Sequence, residues 1–194
     1  ITIGPSESMS KSKKNTIDPE KIIEMYGADA VRLFILSDSP PEKDIQWSEN
    51  GMTSAYKFIQ KFWLMNDQII NLLGKEEKKQ NDEIEIFTNQ FIEKINFALE
   101  KFRYNVIIAS YHEIYTYFKK LAEIDKNYEN LKINYRKIIL VMMPVMPHIT
   151  NECFNLLNLE DPIKWPEVDQ KFIVKENNEI VIQVNGKKRA VIIV

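Results

Sequence analysis

From Ser48 to Leu157 apolar residues return every three or four positions, and that spacing commits most of the chain to amphipathic helices packed on one another. Ala55, Phe58, Ile59, Phe62, Met65, Ile69 and Leu73 form one stripe, with Lys57, Lys61, Gln68 and Asn71 on its wet side. Phe87, Phe91, Ile95, Ala98, Leu99 and Phe102 form the next, and Val106, Ile107, Tyr111, Ile114, Phe118 and Leu121 follow. Ser48, with Glu49 behind it, reads as the cap of the first helix, and Asn105 as the cap between the second and third. The polar run from Lys75 to Asp82 reads as a loop. Further helices are expected from about Asn130 to Met143 and from Pro147 through Ile149, Phe154 and Leu157, with Pro144 and Pro147 punctuating the junction. Helices that each bury one stripe need partners, so the expected fold is mainly α, a helical bundle.

Both flanks differ from this middle. Gly4 to Ile17 holds Ser, Lys, Asn, Gly and Pro with hardly an apolar residue and reads as an exposed, mobile loop. Asp18 then caps a short helix with Pro19 in its first turn, Ile22, Ile23 and Tyr26 on its apolar face and Gly27 at its end. Ala30, Val31, Leu33, Phe34 and Leu36 mark a second helix that stops before Pro40-Pro41. After Trp165-Pro166 the period changes to alternation. Ile180, Ile182 and Val184 share one face, Asn185-Gly186 suits a tight hairpin turn, and Val191 to Val194 returns, the start of a small β-containing domain. Ile1-Thr2-Ile3 and Ile192-Ile193-Val194 look like strands cut through, and no initiator Met is present, so the chain is expected to be a piece of a longer protein.

Charge and cysteine content narrow the chemistry. Twenty-six Lys and Arg against 28 Asp and Glu give a net charge of −2, so any nucleic-acid contact must come from local patches. The single Cys153 rules out an internal disulfide and a multi-Cys zinc site, and His112 and His148 are too few to replace it. Cys153 reads as a buried small side chain, Trp47 and Trp63 as core, and His148 as a packing or capping residue. Charges interrupt every apolar run well before the roughly 20 residues of a membrane span, and no secretory leader opens the chain. A reducing, cytoplasmic location without membrane contact is expected.

The most informative stretch is Ser8-Met9-Ser10-Lys11-Ser12-Lys13-Lys14-Asn15, followed by Ile17-Asp18-Pro19 and then Tyr26-Gly27-Ala28-Asp29-Ala30 and Arg32. It resembles the Lys-Met-Ser-Lys-Ser signature loop of class I aminoacyl-tRNA synthetases, with Ser8 in place of the first lysine. The run from Ser39-Pro40-Pro41 through Lys43-Asp44 to Trp47, then Gly51, Ala55, Phe58 and Trp63, is similar to bacterial-type leucyl-tRNA synthetases. Isoleucyl and valyl enzymes remain the alternative within the class. A non-catalytic tRNA-binding module and a helical interaction protein are the alternatives outside it.

The resemblance implies a leucine–tRNA ligase using ATP, with Mg as the counterion of ATP, leucine and tRNA-Leu as further partners, and a monomer as the expected state. In it, Lys11 is the ATP-binding and catalytic lysine, an ammonium facing the departing pyrophosphate, with Ser10 and Ser12 as hydrogen-bond donors and Lys13 and Lys14 adding to the local potential. The domains implied are residues 1–46 as the end of the catalytic domain, 47–165 as an anticodon-binding-type bundle, and 166–194 as linker and start of a C-terminal tRNA-binding domain. Met143-Pro144-Val145-Met146-Pro147-His148 resembles the proline-rich helix junction of such bundles. Arg103 at a helix break and Lys187, Lys188 and Arg189 after the hairpin turn are the candidate tRNA contacts, although an ion pair for Arg103 and edge protection for the hairpin cluster explain them equally well. No residue is assigned to a metal, and the catalytic half upstream is expected to be needed for activity.

Overall fold

Asp18, Pro19 and Gly27 bracket α1 (Pro19–Tyr26). The computed structural model describes residues 7–37, 40–158, 163–173, 179–184 and 187–193, with backbone alone for the last two ranges. Asp18 Oδ1 accepts the Glu20 N–H at 3.1 Å, and the Gly27 N–H donates to Ile23 O at 2.8 Å. Gly27 sits at φ 80°, a left-handed value that favours glycine, and one residue suffices to pass into α2 (Ala28–Ser37).

The bundle proper is α3 (Glu49–Leu73), α4 (Asp82–Glu100), α5 (Tyr104–Ile124), α6 (Leu131–Met142) and α7 (Pro147–Leu156). Ser48 Oγ caps α3 by accepting the Gly51 N–H at 3.1 Å. Gly51 is required by a close approach: a Cβ there would lie 2.7 Å from Phe34, whose ring meets Trp47 edge-on at 5.3 Å. The predicted stripes face one continuous core that runs from Ala30 to Leu157. In it α2 packs on α3, α5 and α7, while α4 packs on α5 and α6. Two buried tyrosines bond within it: Tyr111 Oη donates to Val141 O at 3.1 Å, and Tyr135 Oη to Asn66 Oδ1 at 3.0 Å.

Four expectations for the stretch from α3 to α5 need correction. Phe102 leaves its stripe: α4 ends at Glu100, and Phe102 takes φ 53° with 61% of its surface exposed. The Phe102 N–H bonds Leu99 O and the Arg103 N–H bonds Ala98 O, so Phe102 fills the left-handed position of a helix-closing motif that glycine usually occupies. Asn105 is not a cap, because α5 begins at Tyr104 and Arg103 precedes it without a side-chain bond. Trp63 is 42% exposed, since Phe62 and Met65 take the interior positions of that turn of α3. Lys75 to Asp82 is more than a loop: β1 (Glu77–Lys78) pairs in parallel with β2 (Asn127–Tyr128).

Asparagines hold that corner. Asn127 Nδ2 donates to Leu73 O and Lys75 O at 3.3 and 3.0 Å. Asn130 both accepts from the Asn81 N–H and donates to Asn81 O, at 3.1 and 2.9 Å, and Asn134 Nδ2 reaches Glu85 Oε1 at 2.8 Å. The bonds from Asn127 and Asn130 supply partners to backbone groups that a buried connection would otherwise strand. Beyond α7, residues 163–173 run along α4, where Trp165 Nε1 donates to Asn96 Oδ1 and the Asp169 N–H to Asn89 Oδ1, both at 2.8 Å. The predicted hairpin is present as β3 (Glu179–Val184) antiparallel to β4 (Lys187–Ile193), with an irregular register between Ile182 and Gln183. Its Asn185-Gly186 turn lies outside the described residues, as do Ile1 to Ile3.

The first helices are fastened to the last by α2. Asp29, 6% exposed, accepts the Ile149 N–H at 2.7 Å and the His148 N–H at 3.3 Å, capping α7 from another helix. Arg32 on the next turn donates from Nε to Val145 O at 3.0 Å and from Nη2 to Pro144 O at 2.6 Å. His148 is therefore neither packed nor the cap: its ring is exposed, with Nδ1 2.9 Å from Asp29 Oδ1. Asp29→Ala should cost about 2 kcal/mol by leaving buried N–H groups unpaired. In thermal unfolding of this chain that is a Tm lower by roughly 4–8 °C, with Asp29→Asn falling in between. An unchanged Tm for Asp29→Ala would show that the cap contributes nothing.

Candidate functional site

The Ser/Lys segment folds on itself without an apolar anchor. The Ser10 N–H donates to Asn15 Oδ1 at 2.8 Å, and Asn15 Nδ2 donates back to Ser8 O at 3.3 Å. Two tight turns follow, with the Lys13 N–H on Ser10 O and the Lys14 N–H on Lys11 O, both at 3.2 Å. Lys14 closes the second turn at φ 54°. Ser10 and Ser12 bring their hydroxyls to 3.2 Å of each other. Ser10, Lys11 and Ser12 thus share one turn, with Lys11 and Ser12 exposed and Ser10 half-buried.

Charge is unevenly distributed on this turn. Lys13 Nζ pairs with Glu7 Oε2 at 2.6 Å, so part of the cationic supplement expected from it is neutralised. The Lys11 ammonium has no ion pair among the described residues. It is an exposed cation on the same turn as the Ser10 and Ser12 hydroxyls, a set of groups suited to phosphate oxygens. Ser8 contributes its carbonyl to the Asn15 bond, and Met9 is half exposed.

The other candidates lie on separate elements. Arg103 is exposed in the α4–α5 connection, its guanidinium 6.0 Å from the centre of the Phe97 ring. Lys187, Lys188 and Arg189 form the start of β4, with Lys187 opposite Val184 and Lys188 opposite Gln183; their side chains lie outside the described residues. No three His, Cys, Asp or Glu side chains among the described residues converge as a metal site would need. No described helix is long and apolar enough to cross a membrane.

Sequence reasoning missed three features. Asn15 is one, since an asparagine after a lysine run looks like any loop residue. The second is the Asp29–His148 contact. The third is an open groove of about 1210 Å³ lined by Tyr26, Ile59, Trp63, Leu64, His148 and Ile149 among others, which the run Trp63-Leu64 on a helix surface signals in retrospect. His112, against Phe58 at 4.5 Å, has its proton affinity lowered by burial of its ring and by Lys61.

Residues 81–194 match the family model described as the anticodon-binding domain of tRNA ligase, and residues 4–48 match that of class I tRNA synthetases (I, L, M and V). The chain is 34% identical to the leucine–tRNA ligase of Methylocella silvestris, with 100% of this chain and 24% of that protein covered. It is 36% identical to the leucine–tRNA ligase of Fusobacterium nucleatum over 94% of this chain and 23% of that protein. The chain therefore spans about a quarter of the length of these curated relatives. Its fold matches the LeuRS of Agrobacterium radiobacter, solved in a ternary complex with tRNA and LeuAMS, with a TM-score of 0.77. That match has 22% identity and covers 96% of this chain and 25% of the other.

Cys153 is fully buried, and burial pushes its thiol up to about 12. It is a core residue without nucleophilic use, because the thiolate is the reactive form. Alkylation of the native chain at pH 8 should be at least about 100-fold slower than of the chain in denaturant. Equal rates would contradict the burial.

Proposed function

Since the chain belongs to the family of anticodon-binding domains of tRNA ligases, we propose that it is part of a leucine–tRNA ligase. The carrying observation is its identity of about 35% to leucine–tRNA ligases across nearly its whole length. The reaction has two steps. A leucine carboxylate oxygen attacks the α-phosphorus of ATP, the bond to the bridging oxygen breaks, and pyrophosphate leaves with the electron pair. A ribose hydroxyl of tRNA-Leu then attacks the carbonyl carbon of leucyl-adenylate, and AMP leaves.

Lys11 serves the first step. Negative charge grows on the departing pyrophosphate, and a flexible ammonium can follow it as the phosphates separate. Ser10 and Ser12 offer hydroxyl protons beside it. Mg enters on the ATP phosphates as their counterion. ATP and leucine reach Lys11 only when the part of the enzyme that matches the rest of its relatives stands opposite, so this chain alone is inactive.

The domain division follows the chemistry. Residues 1–46 close the catalytic domain, 47–165 form the bundle that tRNA lies against, and 166–194 lead into a C-terminal tRNA-binding domain. Arg103 and the Lys187, Lys188 and Arg189 cluster act as phosphate contacts, the modest number consistent with a net charge of −2. The enzyme works as a cytoplasmic monomer.

Two measurements on the full-length protein test this. ATP–pyrophosphate exchange should depend on leucine and on no other amino acid, and Lys11→Ala should slow it about 100-fold, the scale for losing one group that stabilises transition-state charge. Ser8→Lys should alter it only a few-fold. Exchange driven by isoleucine or valine instead would overturn the substrate, and an unimpaired Lys11→Ala enzyme would overturn the role of the loop.

A further inference from the structure

A phosphate-binding lysine on a loop is useful only if the loop presents it in one place. The Ser8 to Lys14 segment has little means of doing so by packing. Met9 is 47% exposed, Lys11 to Lys14 are all exposed, and among the described residues no helix or strand begins before Pro19. What orders it is one carboxamide. Asn15 is half-buried, and its two ends bond to the backbone on both sides of Met9: Oδ1 takes the Ser10 N–H at 2.8 Å, and Nδ2 gives to Ser8 O at 3.3 Å. The side chain thereby mimics the edge of a neighbouring strand. It fixes Ser10, from which the first tight turn departs, because the Lys13 N–H bonds Ser10 O at 3.2 Å and Ser10 Oγ at 3.3 Å.

We propose that Asn15 is the positioning residue of the loop: by holding Ser8 and Ser10 it sets the point from which Lys11 extends its ammonium. The proposal rests on the reading of Lys11 as the lysine that meets the ATP phosphates. Asn15 itself touches no phosphate and acts through Lys11. The Glu7–Lys13 pair at 2.6 Å closes the base of the same turn, but both partners are exposed and salt screens them, so the carboxamide carries the geometry.

The test has one arm on this chain and one on the full-length enzyme. On this chain, exchange of the Ser10 amide proton should be several-fold faster in Asn15→Ala and near the original rate in Asn15→Asp, which keeps an acceptor for it. An amide indifferent to Asn15→Ala would overturn the proposal.

On the enzyme, Asn15→Ala should lower kcat of leucine-dependent ATP–pyrophosphate exchange about tenfold or more, with the KM for leucine and the Tm unchanged. In a Lys11→Ala background the same substitution should cost less than twofold, because the group it positions is gone. If Lys11→Ala slows exchange and Asn15→Ala does not, Asn15 is not the positioning residue and the lysine reading survives. If the two substitutions multiply, Asn15 acts by some other route and the proposal fails. If Lys11→Ala leaves exchange intact, the lysine reading falls and this proposal with it.

Discussion

Everything in this fold is referred to a carboxylate that water barely reaches. Asp29 projects from α2 onto the first N–H groups of α7, and Arg32, nearly one turn on, holds the two carbonyls just before that helix begins. A helix start leaves N–H groups without partners, and the Pro144 to Pro147 junction leaves carbonyls pointing away from any ladder. One turn of α2 supplies both needs with opposite charges, so the register of α2 against the last helix is fixed from two sides. The consequence is spatial: the loop carrying Lys11 precedes α1, α1 joins α2 through the single residue Gly27, and α2 is bolted to the bundle. The function proposed above, with tRNA along the helices and ATP phosphates at the loop, needs that connection to be stiff.

A second set of polar contacts does the same work at the other end of the long helices. Asn127, Asn130 and Asn134 lie where α3 runs out, α4 begins and α6 begins, and their amides serve backbone groups of all three neighbourhoods. Amides suit this place because they donate to backbone carbonyls without a charge to desolvate, and Asn130 accepts from a backbone N–H as well. Apolar packing gives the bundle most of its stability, while these bonds tie the end of α3 and the starts of α4 and α6 to one another.

Much of this architecture is legible in the residues, and the limits have physical reasons. Helix period shows in Phe58, Phe62, Met65 and Ile69 because one face of α3 is uniformly dry, and Asp18 and Ser48 reveal helix starts because their partners are two or three residues away. Asp29 gave no such sign: the N–H groups it caps are 119 and 120 residues distant, and no local pattern encodes them. Phe102 misled because an aromatic residue took the left-handed position that glycine normally marks. At the candidate site the Ser10-Lys11-Ser12 turn was readable as a motif. The role of Asn15 in folding it was not, since a bond from one side chain to two backbone groups leaves no periodic trace.

Native-state hydrogen exchange on this chain tests the central claim most directly, since amides that open together belong to one cooperative unit. If Asp29 and Arg32 bolt the loop-bearing helices to the bundle, the amides of Leu33 and Phe34 in α2 should share a single opening free energy with those of Phe118 in α5 and Cys153 in α7. An α2 that opens several kcal/mol below the bundle would contradict the account and leave the loop tethered rather than held.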